Sequence, residues 1–507
     1  MSDNLYQQFQ TVMDRQPDAV FMEQPDAPAI HYGELPARTA KIAGALRALG
    51  VNPGDRVAVQ VEKSPEAILL YLACLRVGGV YLPLNTGYTS AEIEYFLRDA
   101  QPALFVCRPC DLDAANALCK PLPKTTVASL GSAGDGTLIE QADKAVPFDG
   151  IEPRNSDDLA SILYTSGTTG RSKGAMLSHG NLASNARALC DTWRFTPNDR
   201  LIHALPIFHI HGLFVACNTV LSTGASMLYL PQFDADTIID AMAYGSLLMG
   251  VPTFYTRLLK SPRLSAETTH NMRLFISGSA PLTSETHNAF RERTGQAILE
   301  RYGMTETGMN ASNPYEGDRR AGSVGFPLPG VEIRITQPGS DDVLPNGEVG
   351  MIEVRGPNVF SGYWGMPEKT AEELRADGWF MTGDLGHFDA DGYLNIVGRD
   401  KDLVISGGYN VYPKEVEQII DEHPAVEESA IIGVAHPDFG EGVTAIVVTV
   451  SGQTLSEAEV MQSLSDRVAR FKQPKRVFFV DSLPRNTMGK VQKNQLRERY
   501  ANTYTNG

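Results

Sequence analysis

The stretch LASILYTSGTTGRSKG, residues 159–174, decides the fold of this 507-residue chain. Its first six residues are a short apolar run that predicts a buried β-strand. Residues 165–174 then form a loop of glycine, serine and threonine, which lets backbone N–H groups turn toward an anion, and Lys173 adds a positive charge. The loop is not a Walker A motif, because serine and not glycine precedes the lysine. We interpret it as a phosphate-binding loop, with a solvated turn as the alternative.

Helical and strand patterns alternate on both sides of this loop. One face of the helix that follows it is marked by apolar residues, at Leu182, Ala186, Leu189 and Trp193. Upstream, residues 56–61 predict a strand, and residues 65–77 predict a helix that ends at a pair of glycines. This alternation continues through the first 400 residues and predicts an α/β fold of layered subdomains.

The pattern changes near residue 400. The last 107 residues predict a small α+β domain, with strands at 430–434 and 444–450 and helices at 413–422 and 456–471. We therefore predict a large N-terminal domain, residues 1–400, and a small mobile C-terminal domain, residues 401–507. The short charged connection at 399–402 is the expected hinge.

Composition excludes several classes of protein. Hydrophobic residues make up 42% and charged residues 21%, which rules out a disordered, collagen-like or coiled-coil chain. The net charge of −16 argues against a nucleic-acid partner, because such binding needs clustered positive charge. No run reaches the roughly 18 apolar residues of a membrane span. The N-terminus resembles neither a signal nor a transit peptide.

The six cysteines favour a reducing compartment, and we expect a cytoplasmic protein. Cys107 and Cys110 form a Cys-x-x-Cys pair that could bind zinc, but no second pair or nearby histidine completes a site of four ligands. We expect small molecules as the partners, and neither nucleic acid nor a membrane. The oligomeric state does not follow from the sequence.

Four further motifs follow the loop in a fixed order: YGMTE at 302–306, TGD at 382–384, GRDKD at 398–402 and PRNTMGK at 484–490. Together the five motifs resemble the ANL superfamily of adenylate-forming enzymes, which includes acyl-CoA synthetases. The resemblance implies that a carboxylate reacts with ATP to give acyl-AMP and pyrophosphate, and that the thiol of coenzyme A then accepts the acyl group. ATP, Mg²⁺ and coenzyme A are the implied cofactors.

The resemblance also assigns the nucleotide site. Glu306 and Thr165 are expected to hold Mg²⁺, a hard cation that prefers oxygen ligands. Asp384 is expected to accept the ribose hydroxyls, with the help of Arg399. The implied ATP-binding set is Thr165, Ser166, Gly167, Thr168, Thr169, Gly170, Lys173, Ser279, Ala280, Glu300, Tyr302, Gly303, Met304, Thr305, Glu306, Asp384, Arg399 and Lys490.

The small domain carries the expected catalytic lysine. Lys490 is expected to contact both the reacting carboxylate and the α-phosphate, because one ammonium group can bridge two oxygens as charge develops. In the superfamily the small domain rotates about a residue that matches Lys401. Its other face then presents a segment that lines the thiol tunnel, here Gly407, Gly408 and Tyr409; a plain turn is the alternative for the two glycines.

The acid pocket decides which carboxylate reacts. His209, together with Glu306 and Lys490, is predicted to be catalytic, and His209 and His211 resemble the aromatic gate of the superfamily, with a metal pair as the alternative. Arg301 stands where most relatives have a small residue. A buried arginine without an anion is unfavourable, so the acid is expected to carry a second carboxylate. The predicted carboxylate ligands are His209, Arg257, Ser277, Ser279 and Arg301.

Arg301 and its surroundings also resemble the malonyl-CoA synthetases. We therefore expect malonate as the acid, and methylmalonate as well, since one methyl group changes binding by only about 1 kcal/mol. An internal partner for Arg301 would remove this argument. The alternatives are a ligase for short-chain or aryl acids, an adenylation domain that loads a carrier protein, a luciferase-like oxygenase and a non-catalytic nucleotide-binding protein.

Overall fold

The computed structural model describes residues 2–25, 27–165, 172–465, 467–486 and 489–504. The strands are β1 (Val20–Glu23), β2 (Ile30–His31), β3 (Arg56–Gln60), β4 (Val80–Pro83), β5 (Leu104–Cys107), β6 (Thr126–Ser129), β7 (Leu159–Thr165), β8 (Lys173–Ser178), β9 (Arg200–His203), β10 (Ser226–Tyr229), β11 (Leu247–Gly250), β12 (Leu274–Ser277), β13 (Leu299–Met304), β14 (Gly308–Ser312), β15 (Phe326–Pro327), β16 (Glu332–Thr336), β17 (Gly350–Arg355), β18 (Phe380–Phe388), β19 (Leu394–Arg399), β20 (Val404–Ser406), β21 (Tyr409–Val411), β22 (Val426–His436), β23 (Gly440–Thr449) and β24 (Arg476–Val480).

The helices are α1 (Leu5–Arg15), α2 (Leu35–Ala48), α3 (Pro65–Arg76), α4 (Ser90–Ala100), α5 (Leu112–Cys119), α6 (Thr137–Lys144), α7 (His179–Thr192), α8 (Asn218–Thr223), α9 (Ala235–Ala241), α10 (Pro252–Lys260), α11 (Ser284–Thr294), α12 (Pro367–Glu373), α13 (Pro413–Asp421), α14 (Glu457–Leu464) and α15 (Lys493–Arg499). A π-helix, His211–Cys217, leads directly into α8.

The described strands form four sheets, and the two large ones are mainly parallel. The first has the order β6-β5-β3-β4-β7-β8, in which only the last pair is antiparallel. The second has the order β15-β14-β13-β12-β11-β9-β10-β1-β2. Its central strands, β10, β9, β11, β12 and β13, are parallel to one another, and β11 and β12 are short apolar runs that are buried along their whole length.

The other two sheets are smaller. An antiparallel sheet, β16-β17-β18-β19, closes one side of the large unit. The last sheet, β21-β20-β23-β22 with β24 beside β23, belongs to the C-terminal unit. That unit has two apolar cores of its own, made of residues between 404 and 504, whereas the main core ends at 396. The predicted combination of layered α/β and a small α+β unit is confirmed.

One predicted helix is shorter than the sequence pattern indicated. The helix expected over 456–471 ends at Leu464. The hydroxyl groups of Ser463 and Ser465 donate to the carbonyls of Val460 and Gln462 at 2.7 and 3.0 Å, and such local bonds compete with helix propagation. The apolar spacing beyond this point has another use, because Phe471 stacks on Tyr409 with the ring centroids 4.6 Å apart.

The cysteines form no disulfide, and all six are free thiols. Cys107 is buried in β5 whereas Cys110 is exposed. Within the described ranges, no group of three or more His, Cys, Asp or Glu side chains could hold a metal ion by itself, so neither Cys-x-x-Cys nor His-x-His has a ligand set there. None of the described helices is both long enough and apolar enough to cross a bilayer.

Candidate active site

The candidate site lies where the carboxyl ends of the parallel strands β11, β12 and β13 meet, which is where ligands bind in open α/β sheets. β13 carries Glu300, Arg301 and Tyr302 in sequence, so Arg301 leaves one face of the sheet and the other two side chains leave the opposite face. Gly303, Met304 and Thr305 follow and are half-buried at the strand's end. One strand thus supplies groups to two compartments.

The predicted ribose seat is already formed by three side chains. The hydroxyl of Tyr302 donates to Asp384 Oδ2 at 2.6 Å, and Arg399 Nε lies 2.7 Å from Asp384 Oδ1. Asp384 and Arg399 are register partners on β18 and β19, which explains why two separate motifs converge. The carboxylate of Asp384 raises the pKa of Arg399. A buried carboxylate that keeps lone pairs free suits a pair of ribose hydroxyls.

The predicted metal ligand Glu306 is buried behind this seat. Its Oε1 accepts a hydrogen bond from the hydroxyl of Tyr363 at 3.0 Å, and the same hydroxyl donates to Glu373 Oε2 at 2.6 Å. Burial raises the pKa of Glu306. The phenol of Tyr363 has one proton for two carboxylates, so the negative charge of Glu306 is only partly compensated. Its oxygens fit Mg²⁺, which takes one or two protein carboxylates and completes its shell with phosphate and water.

Lys173 contacts Tyr363 and Glu373, and together with Glu306 these side chains line what we call the metal compartment. Lys173 Nζ lies 3.2 Å from both carboxylate oxygens of Glu373 and 4.0 Å from the centre of the Tyr363 ring. Thr165, the second predicted metal ligand, pairs with Lys173 across β7 and β8. The central part of the loop, Ser166, Gly167, Thr168, Thr169 and Gly170, lies outside the described residues.

Arg301 is buried without a counter-charge. It is 3% exposed, its Nε and Nη2 atoms have no hydrogen-bond partner, and none of the ion pairs in the described part of the chain includes it. Burial lowers the pKa of this guanidinium to about 9. The alternative in which an internal carboxylate neutralises Arg301 therefore finds no support among the described residues. The arrangement fits an anion that arrives with the ligand.

Two histidines line the wall beside Arg301. His211 is buried and its Nδ1 lies 3.2 Å from the hydroxyl oxygen of Ser279. Burial, followed by the positive charge of Arg301, lowers the pKa of His209 to about 4 and that of His211 well below its usual value. Both rings are therefore neutral near pH 7 and can donate one hydrogen bond each. Ser279 has φ of +71°, a strained conformation for a residue with a side chain.

Two predicted carboxylate ligands are not brought to Arg301. Arg257 is exposed on α10, with its guanidinium carbon 5.6 Å from the ring centre of Phe233. Ser277 is the register partner of Glu300, so its side chain leaves the face of the sheet that Arg301 does not. Arg257 points outward because the apolar residues of α10, Phe254, Tyr255 and Leu258, occupy its inner face.

Glu300 and Ala280 also belong to the predicted nucleotide site, and the contacts of Glu300 are with the loop around Ala280. Glu300 is buried, its Oε1 accepts a hydrogen bond from the backbone N–H of Leu282 at 3.2 Å, and its Oε2 has no partner in the described chain. Burial raises the pKa of Glu300 to about 7, and the positive charge of Lys414 on α13 acts in the opposite direction. Glu300 therefore supports the loop that holds Ala280, and its carboxylate faces the small unit. Ala280 itself is half-buried.

Lys490 faces the active site from the C-terminal unit. The positive charge of Arg399, followed by burial, lowers the pKa of Lys490, while the carboxylates of Asp384 and Glu306 act in the opposite direction. The lysine is presented on a turn in which its backbone N–H donates to Asn486 Oδ1 at 2.9 Å. A Cβ added to Gly489 would lie 3.5 Å from Thr253 on α10, so this turn packs against the large unit.

The residues predicted for the hinge and for the thiol lie elsewhere. Lys401 belongs to a short 3-10 helix, Asp400–Asp402, between β19 and β20. Gly407 and Gly408 form the exposed tip of the β20–β21 hairpin with φ of +61° and +82°, values that a two-residue turn of type I′ requires. Tyr409 is 59% exposed. In this conformation the lysine occupies the site and the hairpin does not.

The motifs did not reveal Tyr363, Glu373 or the role of Gly278. Tyr363 follows a glycine in an ordinary-looking GYWG string, and Glu373 is 200 positions from the lysine that it contacts. Gly278 has no side chain because the guanidinium of Arg301 fills the space, at 2.4 Å from where a Cβ would stand. Gly278 and Arg301 are 23 positions apart, so the sequence alone gives no signal of this contact.

The chain resembles known proteins over nearly its whole length. It matches the family of AMP-binding enzymes over residues 9–364 and the AMP-binding enzyme C-terminal domain over residues 415–490. The crystal structure of ATP-bound MatB from Rhodopseudomonas palustris is 58% identical and superposes with a TM-score of 0.96, covering 99% of this chain and 100% of that one. The apo form of MatB from the same organism superposes with a TM-score of 0.86.

Two sequence relatives bind different classes of acid. A malonate–CoA ligase from Arabidopsis thaliana is 35% identical over 493 residues, which cover 89% of this chain and 79% of the relative. An indoleacetate–CoA ligase from Aromatoleum aromaticum is 37% identical over 482 residues, which cover 92% and 93%. The identities to these two relatives are almost equal, so they do not distinguish a dicarboxylate from an aryl acid as the substrate. That distinction depends on the residues of the pocket.

Proposed function

Because the chain belongs to the family of AMP-binding enzymes, we propose that it is an acid–thiol ligase that joins malonate to coenzyme A. The reaction passes through malonyl-AMP and releases pyrophosphate and AMP. The observation that carries the choice of acid is the buried guanidinium of Arg301, which forms no ion pair with any described residue. It would hold one carboxylate of malonate while the other reacts. Methylmalonate is a second substrate, because one added methyl group changes binding by only about 1 kcal/mol.

In the first half-reaction, a carboxylate oxygen of malonate attacks the α-phosphorus of ATP. The bond from that phosphorus to the oxygen of the β-phosphate breaks, and pyrophosphate leaves. Catalysis of such a transfer needs positioning and neutralisation of charge more than covalent participation. We assign this work to Lys490, whose charge already interacts with Arg399, Asp384 and Glu306.

The metal compartment supports this half-reaction. Mg²⁺ would be held by Glu306, together with the hydroxyl of Thr165, and would neutralise phosphate charge. Tyr363 orients the carboxylate of Glu306 through the 3.0 Å hydrogen bond. Lys173 would contact the β- and γ-phosphates after leaving Glu373. Tyr302, Asp384 and Arg399 would fix the ribose.

In the second half-reaction, the thiol of coenzyme A loses its proton and the sulfur attacks the acyl carbon. The bond from that carbon to the AMP oxygen breaks, and malonyl-CoA forms. We propose that residues 401–507 rotate about Lys401 for this step, so that Lys490 leaves the site and the hairpin with Gly407, Gly408 and Tyr409 enters. The exposure of that hairpin supports the exchange, since its tip is open to solvent and accessible to a ligand.

We place the enzyme in the cytoplasm, and we expect small molecules and not nucleic acid as its partners. The support for a reducing compartment is that all six cysteines are free thiols, four of them buried. The net charge of −16 supports the absence of nucleic-acid binding.

A panel of acids tests the proposed function. Malonate, methylmalonate, acetate, butyrate, benzoate and indoleacetate are compared by release of AMP and pyrophosphate, with and without coenzyme A. We expect malonate to have the highest kcat/KM, by about 10³ over monocarboxylic acids of similar size. Its second carboxylate forms an ion pair with Arg301, whose buried charge would otherwise stay unpaired among the described residues. A higher kcat/KM for benzoate or indoleacetate would contradict the assignment.

A further inference from the structure

A polar cluster that no motif covers lies directly behind the wall of the acid pocket. Lys63, between β3 and α3, reaches His203 at the carboxyl end of β9, and His203 reaches Gly212 in the first turn of the π-helix. That helix follows His209 and contains His211, the two rings beside Arg301. A π-helix inserts an extra residue into a turn and is found mostly at functional sites.

Burial lowers the pKa of Lys63 to about 7, and the three acceptors around its Nζ match the three N–H bonds of the protonated, ammonium form. Its Nζ lies 2.9 Å from His203 Nδ1, 2.8 Å from the His203 carbonyl oxygen and 2.6 Å from the carbonyl oxygen of Leu230. It also lies 4.4 Å from the centre of the Tyr229 ring. These contacts hold both the backbone and the ring of His203.

The tautomer of His203 follows from its neighbours. Its Nε2 lies 2.7 Å from the carbonyl oxygen of Gly212, which can only accept, so Nε2 carries the proton and donates. Burial and the adjacent ammonium lower the pKa of His203, so the ring is neutral and Nδ1 accepts from Lys63. The thiol of Cys217 donates to the same carbonyl at 3.3 Å. The Gly212 carbonyl is therefore held from two directions.

The position of Gly212 sets the position of both pocket histidines. A Cβ at Gly212 would stand 2.0 Å from the carbonyl oxygen of Pro206, so the chain is folded tightly on itself here. The backbone N–H of Leu213 donates to the His209 carbonyl at 3.0 Å, and the backbone N–H of His211 donates to His209 Nδ1 at 3.3 Å. A shift of the Gly212 peptide would thus move the adjacent His211 and, through these two bonds, His209.

From this geometry we infer that Lys63 and His203 are positioning residues of the acid pocket: they hold the Gly212 carbonyl, and through it the rings of His209 and His211, where the acid binds. The inference rests on the proposed function, because the wall that is held is the wall of the acid site. Neither residue contacts the nucleotide seat, so their effect is confined to the acid.

Two substitutions of His203 separate positioning from general stability. Asparagine places a carbonyl oxygen near the position of Nδ1, so His203→Asn keeps the contact with Lys63 and loses the donor to Gly212. Glutamine places an amide nitrogen near the position of Nε2, so His203→Gln keeps the donor to Gly212 and loses the other contact. Both remove the ring and bury one amide, which makes them matched controls for each other.

Steady-state kinetics with the acid that the wild type uses best provide the readout. We expect His203→Asn to raise KM for the acid about tenfold, with KM for ATP within twofold of the wild type, because one buried carbonyl loses its donor. We expect His203→Gln to stay within about threefold in both. Equal rises of KM for the acid in the two variants, or an equal rise of KM for ATP, would overturn the inference.

Lys63→Met provides a second measurement. Without the ammonium, His203 Nδ1 loses its donor and the ring can turn away from Gly212, so we expect a rise of KM for the acid of about fivefold and no rise for ATP. A loss of melting temperature with unchanged KM for the acid would show that the cluster is only structural. If the wild type prefers an acid other than malonate, the proposed substrate fails, whereas this test proceeds with the preferred acid.

Discussion

Gly278 lies directly against the guanidinium group of Arg301. A Cβ at position 278 would stand 2.4 Å from Arg301 Cζ and 2.5 Å from its Nε, distances at which one group must move. Gly278 does not have a positive φ, so the backbone itself would accept alanine. Alanine at position 278 would therefore displace the guanidinium of Arg301, whereas the backbone conformation would accept it.

Gly278→Ala tests this contact. We expect kcat/KM for malonate to fall about 30-fold, about 2 kcal/mol, since the added methyl group would push the guanidinium away from its position. Pyrophosphate exchange with butyrate should fall much less, because it does not use the guanidinium. Gly87→Ala is the matched control, as its nearest neighbour would be 3.3 Å away. Equal losses for both acids would show that the methyl group disturbs the loop and not Arg301.

Arg301→Gly removes the cation itself. We expect malonate activation to fall about 10³-fold while pyrophosphate exchange with a short fatty acid is kept, because a buried ion pair with two hydrogen bonds is lost. Arg257→Ala serves as the control, since that guanidinium is exposed, and it should stay within about twofold. Unchanged malonate kinetics in Arg301→Gly would remove the dicarboxylate argument.

Lys490→Ala separates the two half-reactions. The ammonium interacts with the charges of Arg399, Asp384 and Glu306, so we expect malonyl-AMP formation to fall by 10² or more, on the order of what one charged donor contributes to a transition state. Thioester formation from preformed malonyl-AMP should remain. Rapid-quench assays of each half-reaction provide the comparison, and an equal loss in both would mean that the lysine acts structurally.

The pH dependence of adenylation follows from the lowered pKa of Lys490. Because Arg399 disfavours the ammonium, Lys490 loses its proton at a lower pH than an ordinary lysine, and the adenylation rate should fall early on the alkaline side. Lys490→Arg keeps the charge and should move this fall to higher pH. Single-turnover rates between about pH 7 and 10 measure the effect, with the thioester step as the control. The same alkaline profile in both proteins would exclude Lys490 as its source.

Glu306→Gln tests the metal compartment. The neutral amide cannot offer an anionic ligand, so we expect the Mg²⁺ concentration for half-maximal adenylation to rise at least tenfold, about 1.4 kcal/mol. Glu372→Gln is the control, because Glu372 is exposed and pairs only with Lys369 among the described residues. A Mg²⁺ requirement unchanged by Glu306→Gln would move the metal site elsewhere.

The sequence predicted those parts of the site that depend on short strings of residues. Asp384 and Arg399 belong to two local motifs, and the register of β18 and β19 brings them together. Arg301 was expected to point inward from its place beside Tyr302, and it is buried on β13, where alternation sets the direction of each side chain. The α/β class followed in the same way from the period of apolar residues.

The rest depends on contacts between distant segments. Tyr302 and Asp384 are 82 positions apart, and Lys173 and Glu373 are 200 apart, so no local pattern announces either pair. The prediction for Arg257 relied on its charge alone. The apolar period of α10 places Phe254 and Leu258 on the inner face of the helix, and Arg257 therefore lies on the outer face. His203 and Lys63 read as ordinary residues, because a buried polar cluster has no signature in the sequence.

The hydrogen bond between Tyr302 and Asp384 has a consequence for how ATP is received. Tyr302 belongs to the nine-stranded sheet of the described chain and Asp384 to the four-stranded one, so the bond ties two layers together. The two layers are thus already joined before any nucleoside arrives. A preorganised site of this kind selects its ligand by fit. A 2′-deoxyribose would leave one acceptor position of Asp384 without a donor, and the two joined layers could not close over the gap.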